Sequence, residues 1–355
     1  MKKLAVVIAA RNEEKVLPHT LWKLTRLIKP ENIYLVSDGS TDQTVPIAKF
    51  FNINLLENRQ NIGKTLSSKK ALDHFKILNH YRYVFLLDAD TVPGENFFNT
   101  CLKRFSDKRI AGVCGQVVAQ PKFNLLVVYR TVMYHIWQNF YKQLTSWINA
   151  VTIAPGTATI YKTSVVKNLD FDGQLIIEDF DFTYQIYRKN LGLIKYEPKA
   201  EILTQDPDNL TDYFKQNLRW TVGFLQSAIK HKIPLGFKPF ELLTFFFSVQ
   251  DFLHLAGLVF LILLGVWLLL FSLYPSLLGV YIEQWVVLYI LILDIVVIMV
   301  FGLISLIEKK RFKEILLLPF IWFVQFIHLG TFIYGVYQTL FKHIKNTWVS
   351  PKRRK

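Results

Sequence analysis

Twice early in this chain a short apolar run stops on a carboxylate and gives way to a helical pattern. Residues 32–37 lead into Asp38, and residues 83–87 lead into Asp88. Apolar runs of this length read as strands buried on both faces. Strands that alternate with helical stretches build a parallel α/β sheet. The neighbouring segments keep that rhythm: a strand over 4–9, a helix over 13–28, a helix over 42–51, a strand over 53–56 and a helix over 63–80. In open α/β sheets ligands sit at the carboxyl ends of the strands, where Asp38 and Asp88 fall. There is no GxGxxG loop, so a dinucleotide cofactor is not indicated.

The chain changes character further on. Residues 124–147 read as a long, aromatic, amphipathic helix. A turn at 154–157 precedes a short strand, and helices are expected over 180–189 and 211–231. The stretch 230–239, with two prolines and three lysines, is the best domain boundary. Hydrophobic residues make up 52% of the chain, and long uncharged runs come only after about residue 240. Residues 255–274 carry no charge and reach the roughly 20 residues needed to cross a bilayer. Residues 285–307 are also long enough but contain Asp294. After a charged loop at 308–314, a third apolar stretch covers 315–341, interrupted by Pro319, Gln325 and His328. The expected division is a catalytic domain at 1–235, membrane and interfacial helices at 236–345, and a basic tail at 346–355.

The net charge of +15 suits nucleic acid, an anionic lipid surface or nucleotide substrates. No nucleic-acid motif accompanies it, so an anionic membrane surface is the favoured partner. Two cysteines are too few for a disulfide framework and are expected reduced and buried. They show no metal-ligand spacing, and the histidines form no HExxH, so zinc is rejected. The first apolar run reaches Arg11 too soon for a signal peptide. The basic loop and tail belong on the cytosolic side, so two spans suit the charges and a third full span does not. We therefore expect 315–341 to be re-entrant or partly interfacial, or else 240–250 to insert more deeply.

Four motifs carry the chemistry: Asp38-Gly39-Ser40-Thr41-Asp42, Asp88-Ala89-Asp90, Glu178-Asp179, and Gln216-Asn217-Leu218-Arg219-Trp220. In this order, and followed by apolar segments, they resemble the membrane-bound family 2 glycosyltransferases. That group includes cellulose, chitin, hyaluronan and poly-N-acetylglucosamine synthases. The resemblance implies a GT-A-like, Rossmann-type nucleotide-sugar domain followed by a small α-helical membrane domain. It places the catalytic domain in the cytosol and the protein in the cytoplasmic membrane as a multi-pass chain.

The resemblance also assigns roles. Asp88 and Asp90 hold Mg or Mn and the donor diphosphate, because hard divalent cations prefer carboxylate oxygens. Asp38 and the loop carrying Glu13 hold the base and ribose of the nucleotide. A plain turn with Asp42 capping the next helix is compatible with that role. Lys64, in Asn61-Ile62-Gly63-Lys64, contacts phosphate or nucleotide, against the plainer reading of a solvated basic face. Lys69 departs from the pattern at a position where Asn is usual. Asp179 is the base that takes the acceptor proton, with Glu178 beside it, although Ile177 stands where Thr is usual. Glu178 and Asp181 raise its pKa by repulsion if they face it. The plain alternative is a set of acids at a helix N-terminus. Gln216, Arg219 and Trp220 share one helix face. Arg219 steadies the leaving diphosphate, Gln216 lies near the donor, and Trp220 offers a flat platform to the acceptor sugar. An Arg–Trp membrane anchor is the competing reading. Trp348-Val349-Ser350-Pro351-Lys352-Arg353 resembles a gating tail, or else is a basic lipid anchor.

The expected activity is inverting transfer from a nucleotide-diphospho-sugar, a UDP-sugar by preference, to a growing polysaccharide. With few spans, a polymer synthase needs a membrane partner subunit or a second copy. A glycolipid synthase with a lipid acceptor is the alternative. A non-catalytic subunit is a third reading, and the intact acidic motifs argue against it. Asp294 is expected to pair inside the membrane part, with Gln325 or His328 as partner.

Overall fold

The computed structural model describes residues 2–232, 238–246, 257, 259–260, 263–267 and 284–342. The span expected over 255–274 falls largely outside these residues. So do the tail motif at 348–353 and the middle of the 230–239 boundary.

Eight strands form one sheet: β1 (Lys2–Ala10), β2 (Ile33–Asp38), β3 (Asn54–Asn58), β4 (Tyr81–Asp88), β5 (Thr91–Pro93), β6 (Ile110–Ala119), β7 (Thr159–Lys162) and β8 (Leu193–Thr204). Their order is β3-β2-β1-β4-β7-β6-β8-β5. The first half is parallel, as the apolar runs imply: β1 lies between β2 and β4, and β3 flanks β2. The second half adds antiparallel pairs that the parallel pattern of the front part did not announce. β7 runs antiparallel to β4 and β6, and β5 antiparallel to β8. A parallel return needs a crossover of a dozen or so residues. β5 follows β4 with only Ala89 and Asp90 between them and pairs with β8 at the far edge of the sheet.

The sequence reading assigned no element to β6 or β8. β6 is buried almost throughout and carries Gly112 and Gly115, which weaken strand propensity. β8 contains Pro198, and its register with β6 shifts between Gly115 and Gln116. A proline inside a bulge hides a strand from pattern reading.

The helices of the front part are α1 (Leu17–Leu27), α2 (Thr44–Phe50), α3 (Lys64–His74), α4 (Ile77–His80), α5 (Phe97–Arg104), α6 (Leu125–Tyr134), α7 (Gln143–Trp147), α8 (Thr163–Val166), α9 (Glu178–Arg188) and α10 (Leu210–Lys230). The helix expected over 63–80 is broken: Lys76, at φ 51°, turns left-handed between α3 and α4. The amphipathic stretch at 124–147 is helical, and a π-helix over His135–Lys142 joins α6 to α7. Asn124 caps α6, accepting from the N–H groups of Leu126 and Val127.

Alternate residues of β1 serve two cores. Leu4, Val6 and Ile8 pack with α1, α2 and α5 through Leu21, Ala48 and Phe97. Ala5, Val7 and Ala9 pack with α3, α8 and α9 through Leu72, Val165 and Phe182. The result is a three-layer sandwich with its loops at the carboxyl end of β1, β2 and β4.

The C-terminal part comprises α11 (Gln284–Glu308), α12 (Leu318–Ile321) and α13 (Gln325–Phe341), with 3-10 turns at Phe312–Leu317 and Trp322–Val324. Among the described residues, one helical run, Phe312–Phe341, is long and apolar enough to cross a membrane by length and composition. It is a broken helix, with Pro319 in the first turn of α12. This part shares a core with the sandwich. Leu126, Val128 and Val132 of α6 and Tyr213 of α10 pack against Ile298, Leu306, Leu318, Ile321 and Val324. Asp294 accepts from Trp322 Nε1 at 2.8 Å and Gln325 Nε2 at 3.1 Å, whereas His328 pairs with the Tyr213 hydroxyl. The basic loop is folded in as well: Arg311 is buried, donating to Thr131 Oγ1 and Glu314.

Candidate active site

The loops after β1 and β2 are stitched together. Asn12 Oδ1 accepts from the Thr41 N–H, and Glu13 N–H donates to Thr44 Oγ1. Asp42 stands one residue before Gln43, the N-cap of α2, and accepts from the N–H groups of Thr44 and Glu14, tying the turn to the neighbouring loop. Glu13 lies buried in this seam. Asp38 is fully buried, and both of its oxygens hold the loop before α3. Oδ1 accepts from Ile62 N–H and Asn58 Nδ2, and Oδ2 from Gly63 N–H. Burial of a carboxylate is sustained by such donors. Asp38 therefore shapes the loop that presents Lys64.

Lys64, the first residue of α3, draws two motifs together. Its ammonium lies 2.7 Å from Asp88 Oδ1 at the end of β4 and 2.8 Å from Glu178 Oε1 at the start of α9. Burial opposes its charge, yet the two carboxylates outweigh burial and hold it protonated, above the ordinary lysine range. The plainer reading of a solvated lysine does not describe Lys64. It does describe Lys69, which is exposed and paired along the helix with Asp73.

Asp179 sits beside this bridge. Its oxygens accept from Gly156 N–H at 3.3 Å and Phe180 N–H at 3.1 Å. Burial, then the neighbouring Glu178 charge, push its carboxyl up to about 6, while Lys64 and the two N–H groups pull the other way. The expected contribution from Asp181 is absent. That carboxylate is buried away from Asp179 and taken by His231, Lys230 and Gln185. Gly156 packs closely here: a Cβ would lie 3.2 Å from Glu178 Oε1, which would have to shift by a few tenths of an ångström.

Asp90 is buried and accepts from Thr91 Oγ1, which in turn accepts from Thr157 Oγ1. Asp88 and Asp90 thus flank one short crossing, Asp88 with a side chain 33% exposed. Among the described residues no three His, Cys, Asp or Glu side chains converge into a metal cage. Two hard carboxylates still fit Mg²⁺ or Mn²⁺, since such ions are commonly held by one or two carboxylates plus substrate phosphates.

The α10 motif is organised by a residue that the sequence reading missed. Arg130 of α6 is buried, and its guanidinium donates to Gln216 Oε1 at 3.2 Å and Asn217 Oδ1 at 3.1 Å. It also covers the Trp220 ring at 4.4 Å and pairs with Asp206 at 3.5 Å. Tyr134 donates to the same Asp206. The signal available was a lone arginine inside the apolar run Leu125–Tyr134. Arg219 makes no hydrogen bond or ion pair among the described residues, so nothing ties it to Asp179 or Asp88. α10 is fastened to α9 at other points. Ile177 packs so closely on Gly223 that a Cβ there would meet it at 2.2 Å, and Ile176 N–H donates to Gln226.

A family model described as "Glycosyltransferase like family 2" matches residues 2–223. The poly-beta-1,6-N-acetyl-D-glucosamine synthase of Staphylococcus epidermidis is 26% identical over 227 residues, covering 62% of this chain and 54% of that protein. Its counterpart from Staphylococcus aureus (strain COL) is 26% identical over 230 residues, with the same coverage. The chain thus spans about half the length of these curated relatives. A mannosyltransferase from Pyrobaculum calidifontis, solved with GDP-Man and Mn²⁺, aligns at a TM-score of 0.60 and 15% identity. The alignment covers 96% of this chain and 87% of that one, so the two share a fold. With the matched region spanning well over half its residues, this chain belongs to glycosyltransferase family 2.

Proposed function

We propose that this chain moves a sugar from a nucleotide-diphospho-sugar to a saccharide hydroxyl at the cytoplasmic membrane, with inversion. A UDP-sugar is the first donor to offer and a growing polysaccharide the first acceptor. The observation that carries this reading is the Lys64 bridge, which brings Asp88 and Glu178, from two distant motifs, within 3 Å of one ammonium. Asp179, adjacent to that bridge, is poised as base with a raised pKa. It takes the proton of the acceptor hydroxyl. That oxygen then bonds to the anomeric carbon from the face opposite the diphosphate, and the bond to the diphosphate breaks. Asp88 and Asp90 would hold Mg²⁺ or Mn²⁺, which when bound neutralises the diphosphate. Lys64, and Arg219 once the donor is bound, supply positive charge for the same leaving group. Trp220, stiffened by Arg130 on one side, offers its ring to the acceptor. The similarity to poly-beta-1,6-N-acetyl-D-glucosamine synthases supports a polysaccharide product.

One observation favours a second acceptor. Gly335 of α13, within the apolar run, packs on Thr221 and Leu218 of the motif helix α10. A helix that touches both the apolar part and Trp220's neighbours suits an acceptor carried by lipid. The deciding experiment offers labelled UDP-sugars and GDP-sugars with Mg²⁺ or Mn²⁺ to the purified, membrane-reconstituted protein. Polymer and lipid extracts are counted separately. Label in a glycosidase-sensitive polymer supports the synthase, and label in the lipid phase supports the second reading. Equal incorporation by wild type and Asp179→Asn, or by metal-free and metal-loaded samples, rejects the mechanism.

A further inference from the structure

A cleft opens beside the end of α5, toward the amino ends of β6 and β8. Asp88, by contrast, closes β4 at its carboxyl end. β4 and β6 run in the same direction, both antiparallel to β7, so the cleft and the donor site lie toward opposite ends of the sheet.

Four cations line the cleft, Lys103 and Arg104 of α5 and Lys195 and Lys199 of β8, against two carboxylates. Both carboxylates are already taken. Glu197 is buried and accepts from Arg104 Nε at 2.6 Å and from the Lys199 N–H. Asp107 accepts from the guanidinium and the N–H of Arg109. The Lys103 and Lys199 ammonium groups and the Ser106 hydroxyl make no hydrogen bond or ion pair among the described residues. Lys195 is half-buried and donates at 2.7 Å to the Ser146 carbonyl, a neutral partner. Burial, then the charges of Arg104 and Arg109, hold its ammonium below the ordinary lysine range. The carboxyl end of α5 favours cations at Lys103 and Arg104, but it does not account for Lys195 and Lys199 on the strand.

Like charges gathered in a concave site raise the local potential and draw in an anion. Ammonium, guanidinium and hydroxyl donors together suit phosphate oxygens. At about 500 Å³ the cleft has the size of a small-ligand site and exceeds a single phosphate group. No aromatic ring lines it, so recognition falls to charge and not to a stacked base.

We propose that this cleft is a second phosphate site, separate from the donor site, and takes a ligand carrying clustered phosphate groups. Two sources fit that chemistry. One is a soluble oligophosphate. The other is the headgroup layer of the bilayer, because Lys309, just past α11, reaches Glu201, two residues along β8 from Lys199. A ligand in the cleft competes with the Ser146 carbonyl for Lys195.

The test is acylation of lysines by an amine-reactive ester, read residue by residue by mass spectrometry. The full chain is used in nanodiscs without divalent metal. Lys49 and Lys69, exposed on other elements, serve as controls. One arm adds tripolyphosphate to nanodiscs of zwitterionic lipid. The other replaces that lipid with phosphatidylglycerol and adds no oligophosphate. Ionic strength is held constant with chloride. The expected result is a severalfold, saturable slowing at Lys103 and Lys199 in at least one arm, with Lys49 and Lys69 unchanged. Slowing in the first arm identifies a soluble ligand, and slowing confined to the second identifies headgroups. Unchanged rates at Lys103 and Lys199 in both arms overturn the proposal. So does equal slowing at the control lysines, which marks charge screening alone. Equal protection by sulfate at the same concentration marks an unselective anion patch and also overturns it. Ser106→Glu sets a carboxylate among the lysines and should abolish protection at Lys103. Lys199→Gln, which removes one exposed charge, should raise the half-protecting concentration at Lys103 severalfold. Wild-type protection in either variant refutes the site.

Discussion

In the proposed mechanism one carboxylate, Asp179, links stability to turnover. Its burial beside Glu178 favours the protonated form, so its folded pKa stands near 6, above the value of a free aspartate. The folded state therefore holds this proton more tightly than the unfolded chain does. That contribution is present at low pH and is lost as pH rises through about 6. Under the proposed mechanism catalysis has the opposite sign, because a general base must be ionised. We expect kcat/KM to fall as pH drops through about 6, measured by initial rates across buffers of constant ionic strength. Asp179→Asn separates the two effects. Turnover falls by about 10²–10⁴-fold, while melting at pH 8 occurs at or above the wild-type temperature. A variant that melts well below wild type would contradict this account of the site. Lys64 behaves differently, since it holds two carboxylates that would otherwise repel. Lys64→Met should cost roughly 2–4 kcal/mol in chemical denaturation, toward the lower end because Asp88 is partly solvated. Donor KM should rise with it.

At the scale of elements, the site is a meeting of helix starts and strand ends held by a few side chains. α3 brings Lys64, β4 brings Asp88 and α9 brings Glu178 and Asp179. Arg130 of α6 then fixes the working face of α10 through Gln216, Asn217 and Trp220. Arg130→Met removes the arginine from buried Asp206 and leaves two amide carbonyls without their donor. A loss of about 3–5 kcal/mol is expected in thermal or urea melts. Acceptor KM should rise more than donor KM. Equal shifts in both would show that Arg130 supports the fold without orienting Trp220. The ordinary elements were legible in sequence because their period was clear, as in the apolar runs of β1, β2 and β4. β6, β8 and the break at Lys76 were not, since glycines, a proline bulge and a single left-handed residue carry no periodic signal.

At the scale of the whole molecule, the apolar C-terminal part is bolted to the catalytic sandwich. Asp294 is the clearest bolt within the apolar part, joining α11 to the turn before α13. Asp294→Leu removes the acceptor that Trp322 and Gln325 share and should cost about 1–3 kcal/mol, read as a lowered melting temperature in detergent. Asp294→Asn, which keeps an acceptor oxygen, should retain most of the stability. An unchanged melting temperature for the leucine variant would mean that water or lipid headgroups reach this site. Through the shared core of α6, α10, α11 and α13, such loosening should also reduce turnover.

The family and the α/β architecture were legible in the residues alone. Motif order and apolar periodicity are local properties, written in neighbouring residues. Which residues meet was set by the fold. It gave Asp38 to the loop before Lys64, joined Asp88 to Glu178 through that lysine, and turned Asp181 away toward His231. It also enlisted Arg130, 86 residues from Gln216 along the chain. Such pairings depend on strand order and helix packing, because burial and charge act through space between residues that the sequence keeps far apart.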